Sequence, residues 1–115
     1  MKPNITAVVL TYNEAPNIRR CLESIKGFCE VQVVDSGSSD DTVAICREYT
    51  DHIHVHAYTN HASQWQWALD NLPIRTQWVL ALDADFQVSE SLKEALLVRL
   101  DGVPSQVDGI YVRHR

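Results

Sequence analysis

Apolar positions along the chain follow two alternating patterns. Five short apolar or alternating runs are typical of strands, and they predict strands at 5–10, 31–34, 52–58, 78–82 and 109–112. Between them lie four segments in which apolar residues recur at intervals of three and four, as on one face of a helix. The predicted stripes are Ile18, Cys21, Leu22 and Ile25; Thr42, Ile45, Cys46 and Tyr49; Trp65, Ala68, Leu69 and Leu72; and Leu92, Ala95, Leu96 and Leu100. Strands that alternate with single helices predict a Rossmann-like α/β fold, a mostly parallel sheet with helices on both faces.

Several residues mark the predicted helix ends. Pro16 suits the first turn of a helix, where its missing N–H removes no hydrogen bond, and Gly27 suits the end of that helix. Ser89 is the predicted N-cap of the fourth helix, and Gly102 with Pro104 predicts its end. The chain has no internal repeat, linker or low-complexity segment that would divide it.

The third predicted strand carries three histidines. Its apolar and histidine positions alternate, with Ile53, Val55 and Ala57 on one face and His52, His54 and His56 on the other. Three histidines at this spacing could ligate a metal ion, but no cysteine or carboxylate accompanies them to complete a coordination shell. We therefore expect the histidines to form the more solvated face of an edge strand.

Two tryptophans lie in the third predicted helix. Trp65 falls on the apolar stripe and is expected in the core. Trp67 lies off the stripe, so it either borders a binding site or belongs to a surface that further polypeptide would cover. Gln64 and Gln66 lie in the same segment, and the pattern assigns them no role.

Composition narrows the class of protein. The 115 residues, 45% of them hydrophobic, suffice for one domain with a buried core over residues 1–115, and no apolar window could span a bilayer. The formal charge of −5, without a stripe of Lys or Arg, argues against a nucleic-acid partner. Three cysteines without a CxxC pair (Cys21, Cys29 and Cys46) are expected to be reduced core thiols of a cytoplasmic protein. Polar residues at 13–14 interrupt the first apolar run too early for a signal peptide.

Chemically active side chains cluster after three of the predicted strands. They are Thr11, Tyr12, Asn13 and Glu14 after the first, Asp35 and Ser36 after the second, and Asp83 and Asp85 after the fourth. In parallel α/β sheets ligands bind at the carboxyl ends of the strands, so these side chains should share one edge. If the chain stays extended, Asp83 and Asp85 point to the same side and repel each other unless a cation or several donors lie between them. We therefore expect these carboxylates to belong to a ligand site.

Four familiar kinds of α/β site do not match this arrangement. The first loop contains no glycine, which excludes a dinucleotide-binding GxGxxG turn, and the chain has no P-loop. A receiver domain would carry a carboxylate pair after the first strand and a lysine after the fifth. A haloacid-type phosphatase would carry its DxD after the first strand, whereas here the DxD follows the fourth. A site for a nucleoside-diphosphate sugar is the remaining match.

Three motifs carry a resemblance to a known family: VVLTYNE at 8–14, VVDSGSSDDT at 33–42 and LDAD at 82–85. In order and spacing they resemble the landmark motifs of family-2 glycosyltransferases. Within that family the chain looks most similar to bacterial enzymes that build lipopolysaccharide core or related surface glycans. The resemblance extends over nearly the whole chain, and it implies a GT-A fold of the nucleotide-diphospho-sugar transferase type.

The resemblance implies a divalent metal ion, Mg²⁺ or Mn²⁺, at the DxD motif. Asp85 would ligate the ion, and Asp83 would touch the ribose or a metal-bound water. Both ions prefer oxygen ligands and leave coordination positions open for phosphate and water, so few protein ligands are required. The ion would neutralise the charge that develops on the diphosphate leaving group.

The resemblance also implies a nucleotide pocket. The implied nucleotide-binding residues are Thr11, Tyr12, Glu14, Asp35, Ser36 and Asp83. The ring of Tyr12 would stack on the base, and Asp35 would contact the base. Many relatives have a second Asp at the position of Ser36, whose hydroxyl forms a weaker hydrogen bond. Asp40 and Asp41 are expected to cap the next helix rather than to bind a ligand.

The reaction that the resemblance implies is an inverting displacement, in which an acceptor hydroxyl attacks the anomeric carbon of the donor sugar. No residue here matches the general base of the family, and relatives continue into an acceptor-binding half. The chain is therefore expected to be the N-terminal, donor-binding part of a truncated glycosyltransferase. The expected partners are a nucleotide-diphospho-sugar donor, a glycan or lipid-linked acceptor, the inner face of the membrane, and a second copy bound through the surface exposed by truncation.

Two other functions remain open at the level of the sequence. The first is a non-catalytic module that binds a nucleotide-sugar or dimerises. The second is a metal-dependent phosphotransfer enzyme that uses the same DxD motif.

Overall fold

The computed structural model describes residues 5–76, 78–101 and 110–111, and within them it contains five strands and four helices. In chain order they are β1 (Ile5–Thr11), α1 (Ala15–Ile25), β2 (Glu30–Asp35), α2 (Thr42–Cys46), β3 (Ile53–Val55), α3 (His61–Asn71), β4 (Trp78–Asp83), α4 (Glu90–Asp101) and β5 (Ile110–Tyr111). The predicted alternation of strands and helices is confirmed. Three predicted features lie outside the described residues: the helix end at Gly102 and Pro104, the side chain of Leu100, and positions 109 and 112 of the fifth strand.

The five strands form one sheet in the order β3-β2-β1-β4-β5, and each pair of neighbours is parallel. β1 lies in the middle, with β2 on one side and β4 on the other, so the direction of winding reverses beside β1. Thr11 lies opposite Asp35 on β2, and Leu10 lies opposite Asp83 on β4. The ends of β1, β2 and β4 therefore meet at one edge, at the switch point where α/β proteins bind ligands.

Each face of the sheet carries a hydrophobic cluster. Val9 of β1 belongs to a cluster that includes Leu22 of α1 and Leu96 of α4. Its neighbour Val8 belongs to a second cluster that includes Ala68 of α3. Successive strand residues point to opposite faces, so helices cover both sides of the parallel sheet. The predicted α/β fold is confirmed.

Helix α1 matches its sequence pattern throughout, and its four stripe residues are all buried. Pro16 lies in the first turn, and Gly27 follows the helix with a φ of +76°, a left-handed conformation that favours glycine. At the start of α4, Ser89 Oγ accepts a hydrogen bond from the backbone N–H of Leu92 at 3.0 Å. This bond confirms the predicted N-cap.

The three cysteines are buried, as predicted for core thiols. Burial raises the pKa of the Cys21 thiol to about 12 and that of the Cys46 thiol to about 11. Because the thiolate is the reactive form, Cys21 and Cys46 are packing residues rather than nucleophiles. Within the described part of the chain, no helix has the length and apolar character needed to cross a membrane.

The third strand is shorter than predicted, and its exposed and covered residues do not follow the predicted alternation. Val55 is 68% exposed, whereas His54 and His56 are half-buried. His54 Nε2 lies 3.0 Å from Gln32 Oε1, and His56 Nδ1 lies 2.8 Å from Gln64 Oε1. β3 is an edge strand as predicted, and His52 is exposed. The prediction of a solvated face is wrong for His54 and His56, because amides on neighbouring elements supply partners for both rings.

Two predicted helix stripes also need correction. In α3, Leu69 is 54% exposed, and Gln64 takes a place on the buried face at 1% exposure. Trp65 and Trp67 are both half-buried and pack against the cluster under α3. In α4, Ala95 is exposed although its spacing places it on the stripe. Periodicity locates these helices, but the partners available to each side chain decide their final rotation.

Candidate functional site

A cavity of about 280 Å³ opens at the carboxyl edge of the sheet, above β1 and β4. It is lined by Leu10, Thr11, Tyr12, Glu14, Ser36, Tyr58, His61, Asp83, Ala84 and Asp85. Of the residues predicted to bind a nucleotide or a metal ion, all except Asp35 therefore share this cavity. We call it the cleft.

The turn after β1 is held in place by Asn13, a residue with a φ of +50°. Asparagine tolerates this left-handed conformation better than most residues do. Its side-chain Oδ1 accepts a hydrogen bond from Ser39 N at 2.8 Å, and its backbone N–H donates to Ser38 Oγ at 2.8 Å. These bonds join the loop after β1 to the loop after β2, and they place Tyr12 and Glu14 at the cleft.

Asp40 connects the first residues of two helices. Its Oδ2 accepts a hydrogen bond from Ala15 N at 3.2 Å, and its Oδ1 accepts from Thr42 N at 3.0 Å and from the Thr42 hydroxyl. The Thr42 hydroxyl is the main reason that the pKa of the Asp40 carboxyl lies below its usual range. The predicted capping role is confirmed for Asp40, whereas Asp41 occupies the N-cap position of α2 without a side-chain hydrogen bond.

Asp35 lies beneath the cleft rather than on its wall, with only 1% of its surface exposed. Its Oδ1 accepts hydrogen bonds from Thr11 Oγ1 at 2.7 Å and Ser38 Oγ at 2.5 Å. Its Oδ2 accepts from Gly37 N at 2.9 Å and Ser38 N at 2.7 Å. Four donors thus occupy the carboxylate, which shapes the loop after β2. The contact of Asp35 with a nucleobase stays a prediction.

Asp83 and Asp85 are both half-buried at the end of β4. The strand ends at Asp83, and a turn closed by Phe86 N donating to Asp83 O at 3.0 Å follows it. The backbone is therefore not extended through the motif, but both carboxylates still line the cleft. Asp83 and Asp85 thus share the predicted location although the strand geometry ends at Asp83, two residues before Asp85.

The charge of the cleft is negative. Glu14, Asp83 and Asp85 contribute carboxylates, and its described lining contains no Lys or Arg. The described residues also contain no group of three or more His, Cys, Asp or Glu that could hold a metal ion unaided. Two aspartates with open space beside them suit Mg²⁺ or Mn²⁺, because these ions complete their shells with water and phosphate oxygens.

Tyr58 and His61 line the cleft without having been predicted. Both follow β3, whose end the sequence pattern placed too late, so their position at the same edge was missed. Trp65 Nε1 donates a hydrogen bond to His61 Nε2 at 2.9 Å, which holds the imidazole at the mouth of the cleft. Because β3 ends at Val55, Tyr58 and His61 follow its carboxyl end, and this position identifies both residues as candidates.

Beside the cleft lies a second cavity of about 540 Å³, lined by Tyr12, Ser36, Ala57 and Tyr58. We call it the hollow. Tyr12 and Tyr58 are 58% and 54% exposed, so their rings are available for contact with a flat ligand. Three residues, Tyr12, Ser36 and Tyr58, line both cavities, and the two spaces therefore form one continuous site.

Comparisons with known proteins agree with this geometry. The family model described as glycosyl transferase family 2 matches residues 6–114. The chain is 37% identical to a glycosyltransferase of Rickettsia felis over 93 residues, which cover 80% of this chain and 32% of that protein. It is 29% identical to the lipopolysaccharide core biosynthesis glycosyltransferase LpsC of Rhizobium meliloti, an alignment that covers 96% of this chain and 42% of LpsC.

The fold is also similar to a solved structure. A crystal structure of TarS from S. aureus superposes with a TM-score of 0.67 at 25% identity, covering 88% of this chain and 32% of the TarS chain. This chain thus spans about a third of the length of that TarS chain, which comprises residues 1–349, and of the Rickettsia relative, and somewhat more of LpsC. On the match over residues 6–114, with the parallel sheet and the cleft at its carboxyl edge, the chain belongs to glycosyl transferase family 2.

Proposed function

We propose that this chain binds the donor in a glycosyltransferase that transfers a sugar from a nucleoside diphosphate to an acceptor hydroxyl. The observation that carries the proposal is the cleft, which brings Asp83 and Asp85 together with Thr11, Glu14 and Ser36. Thr11 and Asp85 are 74 positions apart in the sequence, and the parallel sheet brings them to one edge. The proposed unit is a single donor-binding domain over residues 1–115.

The charge of the cleft supports a metal ion as part of this proposal. A diphosphate carries negative charge, and the described lining offers it carboxylates but no Lys or Arg. Asp85 and Asp83 would hold Mg²⁺ or Mn²⁺, which supplies the positive charge that a diphosphate leaving group requires. The protein then fixes the position of the ion, because Asp83 ends β4 and Asp85 lies in the turn that directly follows it.

The hollow supports a place for the nucleoside. Tyr12 and Tyr58 present exposed rings on which a base can stack, and Ser36 presents a hydroxyl between the hollow and the cleft. Thr11 donates to the buried Asp35, so these two residues support the site from below. We propose that Asp35 acts on the nucleotide through the loop that it organises.

The acceptor side of the reaction is proposed from the family and from the lengths of the relatives. An inverting displacement needs a general base for the acceptor hydroxyl, and we assign that role to polypeptide beyond the donor site. The name of LpsC suggests a lipopolysaccharide-core glycan as the class of acceptor. An acceptor of this kind would bring the enzyme to the inner face of the membrane.

Calorimetric titration with UDP, GDP and CDP, each with and without Mn²⁺, tests the proposal. We expect one nucleotide to bind, and we expect Mn²⁺ to lower its Kd at least about tenfold, which corresponds to about 1.4 kcal/mol. Asp85→Ala should abolish the effect of Mn²⁺, because it removes the proposed ligand. Asp51→Ala is the matched control, since this exposed carboxylate precedes β3 at the opposite edge of the sheet and should leave binding unchanged.

Each other outcome selects a different function. If none of the three nucleotides binds, the proposal of a donor site is wrong, and a module that dimerises is favoured. Sedimentation analysis would then detect the dimer. If the protein releases phosphate from simple esters in the presence of the metal ion, the hypothesis of a phosphotransfer enzyme replaces that of a glycosyltransferase.

A further inference from the structure

Gln64 is a buried polar residue that neither the sequence pattern nor the family motifs explain. It lies in the first turns of α3, 1% exposed, and its side chain reaches toward the loop after β2. We propose that Gln64 is a positioning residue, which fixes the Ser36 hydroxyl as a hydrogen-bond donor to the nucleoside. This inference rests on the proposed function.

The hydrogen bonds of Gln64 define its orientation. Nε2 donates to Ser36 Oγ at 3.2 Å and to the backbone carbonyl oxygen of His56 at 3.1 Å. Because a carbonyl oxygen only accepts, the NH₂ group must be on this side of the amide. Oε1 lies 2.8 Å from His56 Nδ1, which therefore carries a hydrogen and donates it. A buried amide with three good partners has one stable arrangement.

This arrangement restricts what the Ser36 hydroxyl can do. Its oxygen already accepts from Gln64, and among the described residues it donates no hydrogen bond. Its backbone N–H is held by Thr11 O at 3.0 Å, so the residue is anchored through two groups. A free serine hydroxyl rotates, whereas this one is left with its proton available toward the cleft and the hollow that it lines.

Gln64 also holds the opposite wall of the hollow. Its bonds to both the ring and the carbonyl of His56 fix the segment that leads to Ala57 and Tyr58. The His56 ring is stacked on Trp67, with ring centroids 4.2 Å apart and an interplanar angle of 19°. One buried amide thereby sets the distance between Ser36 and the wall that carries Tyr58.

The position of this network indicates which part of the donor it serves. Ser36 and Tyr58 line the hollow as well as the cleft, whereas Asp83 and Asp85 line the cleft alone. Gln64 should therefore act on the nucleoside, whose carbonyl oxygens and ring nitrogens accept hydrogen bonds, and not on the metal-bound diphosphate. A substitution of Gln64 should therefore weaken nucleotide binding without changing its dependence on the metal ion. A general loss of structure would weaken both.

The test uses Gln64→Met, with Gln66→Met as its matched control. Gln66 lies on the same helix and is exposed, and the one side-chain hydrogen bond that it makes within the described residues is to Asp70 in the next turn. In titrations with UDP, GDP and CDP, we expect Gln64→Met to raise the Kd of the nucleotide that binds about tenfold, the effect of one well-placed hydrogen bond. The ratio of the Kd values without and with Mn²⁺ should stay at the wild-type value. Gln66→Met should change neither quantity.

A double-mutant cycle with Ser36→Ala tests whether Gln64 acts through Ser36. The two substitutions together should raise the Kd scarcely more than either alone, because they remove the same contact. Gln64→Glu should not restore affinity, because a carboxylate lacks the NH₂ donor and turns the Ser36 proton toward itself. Thermal unfolding of each variant establishes that it is folded at the titration temperature.

Several results would overturn the inference. Equal affinities of Gln64→Met and Gln66→Met, strictly additive effects in the cycle, or a loss of the Mn²⁺ dependence in Gln64→Met would each remove the positioning role. These results leave the donor site intact, since the wild-type protein still binds nucleotide. Absence of nucleotide binding by the wild-type protein would reject the proposed function and the role of Gln64 together.

Discussion

Helices α1 and α3 have the same length, eleven residues, but they relate to their sequences in different ways. In α1, the residues at the predicted apolar positions are all buried, and its stripe holds no polar residue. In α3, the glutamine at 64 is buried and the leucine at 69 is more than half exposed. The first helix serves the core alone, whereas the second also supports the site.

The difference follows from what each helix packs against. α1 faces the hydrophobic cluster on its side of the sheet. The first turns of α3 instead lie beside the polar ends of β2 and β3, where Ser36 and His56 need hydrogen-bond partners. A buried polar group without a partner costs about 1–3 kcal/mol, which is comparable to the gain from burying one leucine. The orientation of α3 that buries Gln64 gives hydrogen-bond partners to three polar groups of the half-buried Ser36 and His56.

The largest effect that separates the two helices should come from their leucines. We expect Leu22→Ala in α1 to lower the free energy of unfolding by about 2–5 kcal/mol, since it opens a cavity in a fully buried position. Leu69→Ala in α3 should change it by less than about 0.5 kcal/mol, because that side chain is 54% exposed. Urea unfolding of both variants measures the contrast.

Similar losses for the two leucine variants would contradict the comparison. A large loss for Leu69→Ala would mean that this side chain is covered in solution, for example by a second copy of the chain. Sedimentation of the wild-type protein would then show whether a second copy covers this surface.

A smaller effect is expected at the start of α3. The side chain of Asn60 accepts a hydrogen bond from Ser63 N at 2.8 Å, as an N-cap residue does. Asn60→Ala should lower the free energy of unfolding by about 1 kcal/mol. Asp41→Ala is a control at the N-cap of α2, where no side-chain bond exists, and it should lose less. Equal losses would show that the cap of α3 contributes nothing.

The smallest effect concerns Asp40, which lies at the starts of α1 and α2, and it depends on pH. The pKa of Asp40 is lowered in the folded protein, mainly by the hydrogen bond from Thr42, so folding favours the ionised carboxyl. Its contribution is present above the ordinary aspartate pKa of about 3.9 and is lost as the pH falls through the lower folded value. Asp40→Asn should therefore lose less stability than the wild-type protein on acidification from about pH 5 to about pH 2. Parallel unfolding curves at each pH measure this, and identical pH dependence would exclude the role of Asp40.

The sequence predicted the order of the elements and most of the cleft. Strand β1 and helix α1 follow from strictly local patterns of apolar residues: the strand was predicted to within one residue, and the predicted stripe of the helix is buried. The shared location of Thr11, Ser36 and Asp85 followed from a topological rule, since parallel strands bring their carboxyl ends to one edge. Tyr58 and His61 were missed because the end of an edge strand as short as β3 leaves little trace in the pattern.

What the sequence by itself determined was therefore the alternation of strands and helices and the edge at which its polar motifs meet, because both arise from periodicity and chain order. The tertiary structure alone decided which polar side chains became buried. The Asp35 carboxylate accepts four hydrogen bonds, and the Gln64 side chain bonds to both Ser36 and His56. Such roles depend on partners from distant segments, and a hydrogen bond between segments has no period along the chain.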